Sequence, residues 1–418
     1  MNPSTLKSTT RQTRIICVPC DLKKHLKIIN DAFAYRKFLE KTIDRFPELF
    51  PPEICCGFEI KESRYSKKLK VFQRRILVNN ISYTIKPSCF MPYMTGITDE
   101  VEKGLFLRKY NVPYEALSYV FDHNAMYWYR LETHFGRYSL VGTTIKEASR
   151  LPQHVVADEK HTRLLKDKVY IATTCAQGCF VGVSVVKEAD EKSLTSAYGV
   201  FKKEAQQVEQ DYAPKTVNVD GWKATQNAWL NQFKNISLIF CFFHVFLGLK
   251  KTVTKEFRGI FRTIADKLWN CYQAPNKASF SQRVRYLLEW ATKNSVPKRM
   301  LEKIANLRKN RDSFKVAYDH PLAYRTSNLL DRLMSRMDHH LFDTQYFHGS
   351  ISQAELQIRA WALIHNFAPS TLVTIRKHDG WQSPAEHLNR FRYCDNWLHN
   401  LLVSAHRAER KRSPPNPL

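Results

Sequence analysis

From Leu151 onward the chain changes to strand periodicity, and the order of its segments constrains the fold more than any other feature. Three runs rich in Val, Ile, Thr and aromatics follow one another: HVVAD (154–158), KVYIATT (168–174) and CFVGVSVV (179–186). The Ala-Gln-Gly between the last two suits a hairpin turn. An amphipathic helix is predicted over 190–210, with Leu194, Ala197, Val200 and Phe201 on one face. A short strand, KTVNVD, then ends at Asp220. After it come a helix (WKATQNAWLNQF), an apolar strand (ISLIFCFF) and a helix beginning near His244.

Three strands followed by alternating helix and strand resemble a ribonuclease H-like arrangement. The expected fold class is therefore α/β: a ribonuclease H-like mixed sheet with flanking helices and a helical insertion, plus an N-terminal, mainly helical DNA-binding region. In a sheet of this order the first and fourth strands are neighbours, so Asp158 and Asp220, read as strand-end acids, converge on one edge. Two carboxylates that close repel unless a cation lies between them. Mg²⁺ suits such a pair because it takes hard oxygen ligands and keeps positions open for phosphate. A third acid comes from YRTSNLLDRLMSRMDHHLF, where Thr326, Ser327 or Asn328 caps a helix carrying Asp331. Leu330, Leu333 and Met337 then face the sheet, and Arg332 and Arg336 point toward DNA. Asp338 and Glu355 are the alternatives for the third position.

With Asp158, NVDGW, CFFH (Cys241-x-x-His244), a helical insertion and TSNLLDRLMSR in this order, residues 151–369 resemble the DDE/D transposases of the Mutator-like kind and their bacterial insertion-sequence relatives. The resemblance implies a DNA transposase that cleaves and transfers strands of a mobile element. Asp158, Asp220 and Asp331 would hold Mg²⁺ (or Mn²⁺), two ions in all. Cys241 and His244 would form a structural pair near the site. Partners would be the element's terminal repeats and target DNA, and pairing two ends requires at least a homodimer. One departure stands out: the third position in that family is usually Glu, whereas Asp331 is one methylene shorter. A ribonuclease H-like nuclease without strand transfer, or an inactive DNA-binding descendant, are the alternatives.

Charge agrees with a polyanionic partner, since 65 Lys and Arg stand against 39 Asp and Glu, a net +26. No membrane partner is expected: ISLIFCFFHVFLGL (236–249), the most apolar stretch, is too short to span a bilayer and carries a histidine. The N-terminus has no secretory apolar core. Ten scattered cysteines fit a reducing cytoplasm, with use at a bacterial nucleoid. Cys17-x-x-Cys20 followed by Cys55-Cys56 reads as ordinary thiols, because adjacent cysteines make a poor half of a tetrahedral site.

Six regions result. Residues 1–90, to which no role is assigned, combine a helical segment (22–46) with strands RRILV and SYTIKPS around an Asn-Asn turn. Residues 91–150 read as three short helices in a helix-turn-helix-like DNA-binding domain, with Tyr127 and Arg130 facing the groove; the other reading is a helical subdomain with Tyr127, Trp128 and Tyr129 in its core. The catalytic domain occupies 151–244 and 321–375. Between its parts, 245–320 form a basic helical insertion with Lys255, Arg258 and Arg262 on outer faces for DNA phosphates. Residues 376–418 give a C-terminal helix and a basic tail, HRAERKRSPPNPL, expected to be disordered.

Overall fold

The computed structural model describes residues 14–67, 69–92 and 96–411. After β1 (Ile15–Val18), two aspartates decide where helices begin. Asp21 accepts from the Lys24 amide, and Asp31 accepts from the Phe33 and Ala34 amides. The helical segment expected over 22–46 is consequently two helices, α1 (Leu22–Ile28) and α2 (Ala32–Arg45). Strands β2 (Glu59–Ser66), β3 (Val71–Val78) and β4 (Ile81–Pro87) follow, giving a mixed sheet of order β1-β4-β3-β2 in which β1 runs parallel to β4. Asn79 and Asn80 close the β3–β4 turn with φ of 44° and 61°, the left-handed pair that a two-residue hairpin needs. The three predicted helices are present as α3 (Thr98–Arg108), α4 (Tyr114–Phe121) and α5 (Ala125–Phe135), with α6 (Leu140–Thr144) after them.

The second sheet comprises β5 (His154–Leu164), β6 (Asp167–Ala176), β7 (Cys179–Val186), β8 (Thr216–Val219) and β9 (Ser237–Phe240). Helix α7 (Glu191–Gln206) precedes β8, and α8 (Lys223–Gln232) joins β8 to β9. The order is β7-β6-β5-β8-β9; β6 is antiparallel to both neighbours, while β5, β8 and β9 are parallel. The first and fourth strands are therefore adjacent, as expected. Two expectations need correcting. The first strand does not stop at Asp158 but continues to Leu164, because β6 pairs with it throughout. Conversely β9 is short: α9 (Phe242–Lys250) begins before His244, with Cys241 as its cap residue.

The insertion is helical, as predicted. Helices α10 (Arg258–Tyr272), α11 (Lys277–Lys293), α12 (Lys298–Lys309) and α13 (Arg311–Lys315) enclose a core of their own with α9, built on Leu249, Ile264, Leu268, Phe280, Val284 and Ile304. Then come α14 (Asn328–Asp343), which packs on β5, α15 (Ile351–Phe367), α16 (Leu372–Lys377), α17 (Pro384–Asn389) and α18 (Trp397–Lys411).

This mixed α/β chain divides into two compact units. Of the described residues, those up to Leu151, Lys203–Gln210 and those from Ser352 form the first; Pro152–Lys202 and Asp211–Ile351 form the second. A boundary thus falls after Ile351, where the sequence reading carried the catalytic region to 375. In the first unit α18 packs on β1, α3 and α6 and buries Leu398, Leu401, Leu402 and Val403. The segment expected as a disordered tail is helical to Lys411, with His406 and Arg407 buried; its remainder, 412–418, lies outside the described residues. Among the described residues no helix is long and apolar enough to cross a membrane.

Candidate functional site

Strands β5 and β8 pair in register, Val156 opposite Asn218. Two residues further on, Asp158 and Asp220 occupy equivalent positions, and the period of two keeps each on the face of the residue two before it. Strand β8 has ended by then, which leaves Asp220 exposed while Asp158 stays half-buried. Local amides orient both carboxylates: Glu159 N donates to Asp158 Oδ1 at 2.9 Å, and Trp222 N to Asp220 Oδ1 at 2.8 Å.

The third acid arrives on α14. Its cap residue Ser327 donates through Oγ to Asp331 Oδ2 at 2.8 Å. Ser327 is itself held by Cys241, whose buried Sγ accepts from the Ser327 amide at 3.1 Å and donates to Ser327 Oγ at 3.2 Å. Two more bonds tie the approach to α14 to the sheet: Phe242 N to Arg325 O (3.1 Å) and Asn218 Nδ2 to Tyr324 O (3.0 Å). Further along α14, Asp338 pairs with Lys160 Nζ at 2.6 Å, and Lys160 stands two residues beyond Asp158 on β5. The helix therefore lies against β5. Leu330, Leu333 and Met337 are buried as predicted, and Arg332 and Arg336 are exposed. Of the alternative third acids, Asp338 is engaged by Lys160, and Glu355 belongs to the first unit.

Electrostatics couples these groups. Burial pushes the Asp158 carboxyl up to about 6, with the charges of Asp220 and Asp331 adding to the rise and His244 and the Glu159 amide opposing it. His244 loses solvation, which disfavours its cation, yet Cys241, Asp158 and Asp220 outweigh this and raise it to about 9. The acids thus favour the cationic form of the imidazole. The sequence placed Cys241 and His244 near the site but missed that the cysteine reaches the third acid through Ser327.

It also missed Glu159. Alternation turns it to the opposite face of β5 from Asp158, where its Oε1 accepts from Tyr198 Oη (2.5 Å) and Thr225 Oγ1 (2.8 Å). Burial lifts its carboxyl to about 7 against those two hydroxyls. The Asp-Glu pair in HVVADEKH was the available signal: one acid for each face.

Among the described residues no three His, Cys, Asp or Glu side chains close into a ready-made cage for a metal ion. The donor chemistry nevertheless suits a divalent cation. The desolvated Asp158 carboxyl lies in the field of Asp220 and Asp331, and the buried Asn218 Oδ1, two residues before Asp220, has no hydrogen-bond partner. The other predicted contacts are distributed. Lys255, Arg258 and Arg262 are exposed in the second unit; in the first, Arg130 is exposed, while the half-buried Tyr127 ring stacks on His123 at 4.2 Å. No protein-family model matches the chain, and no curated protein matches it.

Proposed function

We propose that the chain is a DNA transposase of the DDE/D kind, cutting and rejoining strands by metal-dependent phosphoryl transfer. The observation that carries this reading is that Asp158 lies on β5 and Asp220 just past the end of its parallel neighbour β8, each two residues beyond the Val156–Asn218 pair, with Asp331 on a helix packed on β5. One strand, β6, runs against the other four, which supports a ribonuclease H-like sheet. Asp158, Asp220 and Asp331 would hold Mg²⁺ or Mn²⁺. When bound, such ions activate water or a 3′-hydroxyl and stabilise the departing oxygen. The chain's own residues do the rest. Ser327, fixed by Cys241, sets the carboxylate of Asp331, and Arg332 and Arg336 take the DNA backbone. The substrates are terminal repeats and target DNA, brought together by two or more copies.

Supercoiled plasmid incubated with the full-length protein and Mn²⁺ tests it. Nicked and linear DNA should form, and Asp158→Asn, Asp220→Asn and Asp331→Asn, each folded, should each lose about 100-fold or more of the rate, as expected when charge stabilisation of the transition state is removed. Uncut plasmid, or cutting unaffected by all three, overturns the reading. DNA flanking the coding sequence then separates transfer from hydrolysis: joined products mark a transposase, and nicks alone a nuclease. The short Asp331 favours one second reading, a DNA-binding descendant that binds ends and cuts nothing.

A further inference from the structure

The first unit contains a cleft of about 590 Å³ between α1 and α2, and four cations line it: Lys24, Lys37, Lys41 and Arg45. Its origin is legible in α2. Lys37, Lys41 and Arg45 recur every fourth residue, so they form a row with a step of ~6 Å along the axis. Ala34, Phe38 and Thr42 recur at the same spacing and make the floor. Like charges at this spacing disfavour a lone helix, and no acidic side chain lines the cleft to relieve them. Among the described residues none of the four makes an ion pair, neither with Asp21 or Asp44 nor with Glu40, which is engaged by Arg36.

Three of the four cationic heads also rest on aromatic rings. Lys24 Nζ stands 4.6 Å from the centroid of Phe38, Arg45 Cζ 4.9 Å from that of Phe46, and Lys37 Nζ 4.4 Å from that of Phe33. Phe38 and Phe46 are buried beneath those cations, so their faces are not free for stacking bases. What remains on offer is a row of positive charge stepping along α2.

We propose that this cleft is a binding site for the phosphodiester backbone of a nucleic-acid strand, read by charge and not by base. A single phosphate needs no row of three cations with a fourth beside it, and a chain of net +26 has a polyanion as its natural partner. The inference takes from the preceding section only the identity of the polymer, DNA; it requires no cutting or joining.

Fluorescence anisotropy of the full chain with a labelled DNA duplex, and separately with one of its strands, across a series of salt concentrations provides the test. For Lys37→Gln/Lys41→Gln/Arg45→Gln the slope of log K against log salt should flatten by about 3, and for Lys41→Gln alone by about 1, with affinity at moderate salt falling roughly tenfold or more for the triple variant. Thermal unfolding confirms that both variants fold. A change confined to the duplex assigns the cleft to one strand of a double helix; an equal change with the single strand assigns it to a lone strand. Unchanged slopes for both DNAs overturn the proposal, even if the same variants lose binding to anionic vesicles or an acidic peptide. Wild-type protein that leaves plasmid uncut but still shows the slope difference between itself and the cleft variants would fell the catalytic reading and leave the cleft standing.

Discussion

Asp158 carries a cost of burial to which two neighbouring acids add. Its carboxyl is held up to about 6, against 3.8 unperturbed, first by burial and then by Asp220 and Asp331. The folded value lies above the unfolded one, so the penalty is absent below pH 3.8 and complete above pH 6. It amounts to on the order of 3 kcal/mol at pH 8. Asp158→Asn should therefore stabilise the metal-free protein at pH 8 by about 1–3 kcal/mol and do little at pH 4. Mn²⁺ should raise the thermal midpoint of the wild type and leave that of the variant unmoved. A variant less stable at pH 8, or an equal response to Mn²⁺, would defeat the assignment. That the strands leading to Asp158 and Asp220 are neighbours was legible in the sequence, because the order of strands and helices fixes which strands pair. The Cys241–Ser327–Asp331 connection was not: hydrogen bonds spanning 86 residues leave no periodic trace.

Helices were easier to find than the charges that join them. α3 and α5 are locked by Arg108 and Glu132, both essentially fully buried, with Nε to Oε2 at 2.5 Å; the Tyr114 hydroxyl also donates to Glu132. Gly104 belongs to the same contact, since a Cβ there would lie 2.5 Å from the Trp128 ring. The sequence reading found all three helices, their turns and the Asn-Asn hairpin, each of which has a local signature. It did not find the ion pair, because amphipathic patterning assigns charged residues to water. Arg108→Met strands Glu132 without its cation and should cost about 3–5 kcal/mol, while adding Glu132→Leu should recover much of that loss. Denaturant titration of the two variants decides it: a single variant within error of the wild type would mean the pair contributes nothing.

At the scale of the whole chain, the second unit interrupts the first, whose core is completed only by the C-terminal α18. That closure was hidden in a run, HRAERK, whose composition reads as a solvated tail. Arg407 donates to the carbonyls of Gly142, Ile145 and Lys146, which offsets part of the desolvation that still lowers its pKa. His406 stays neutral: burial, with lesser contributions from Lys86 and His134, lowers it to about 3, and its Nδ1 lies 2.8 Å from the Leu402 carbonyl. Here the folded value lies below the unfolded 6.5, so the stability associated with neutral His406 is complete above pH 6.5. It is lost as pH falls toward 3, about 3 kcal/mol of it between pH 6.5 and 4. His406→Met cannot take up that proton. Urea unfolding at a series of pH values should therefore show the first unit of the wild type weakening steeply through this window and that of the variant much less. Parallel acid profiles would mean that α18 does not bury this histidine and that the first unit is closed in some other way.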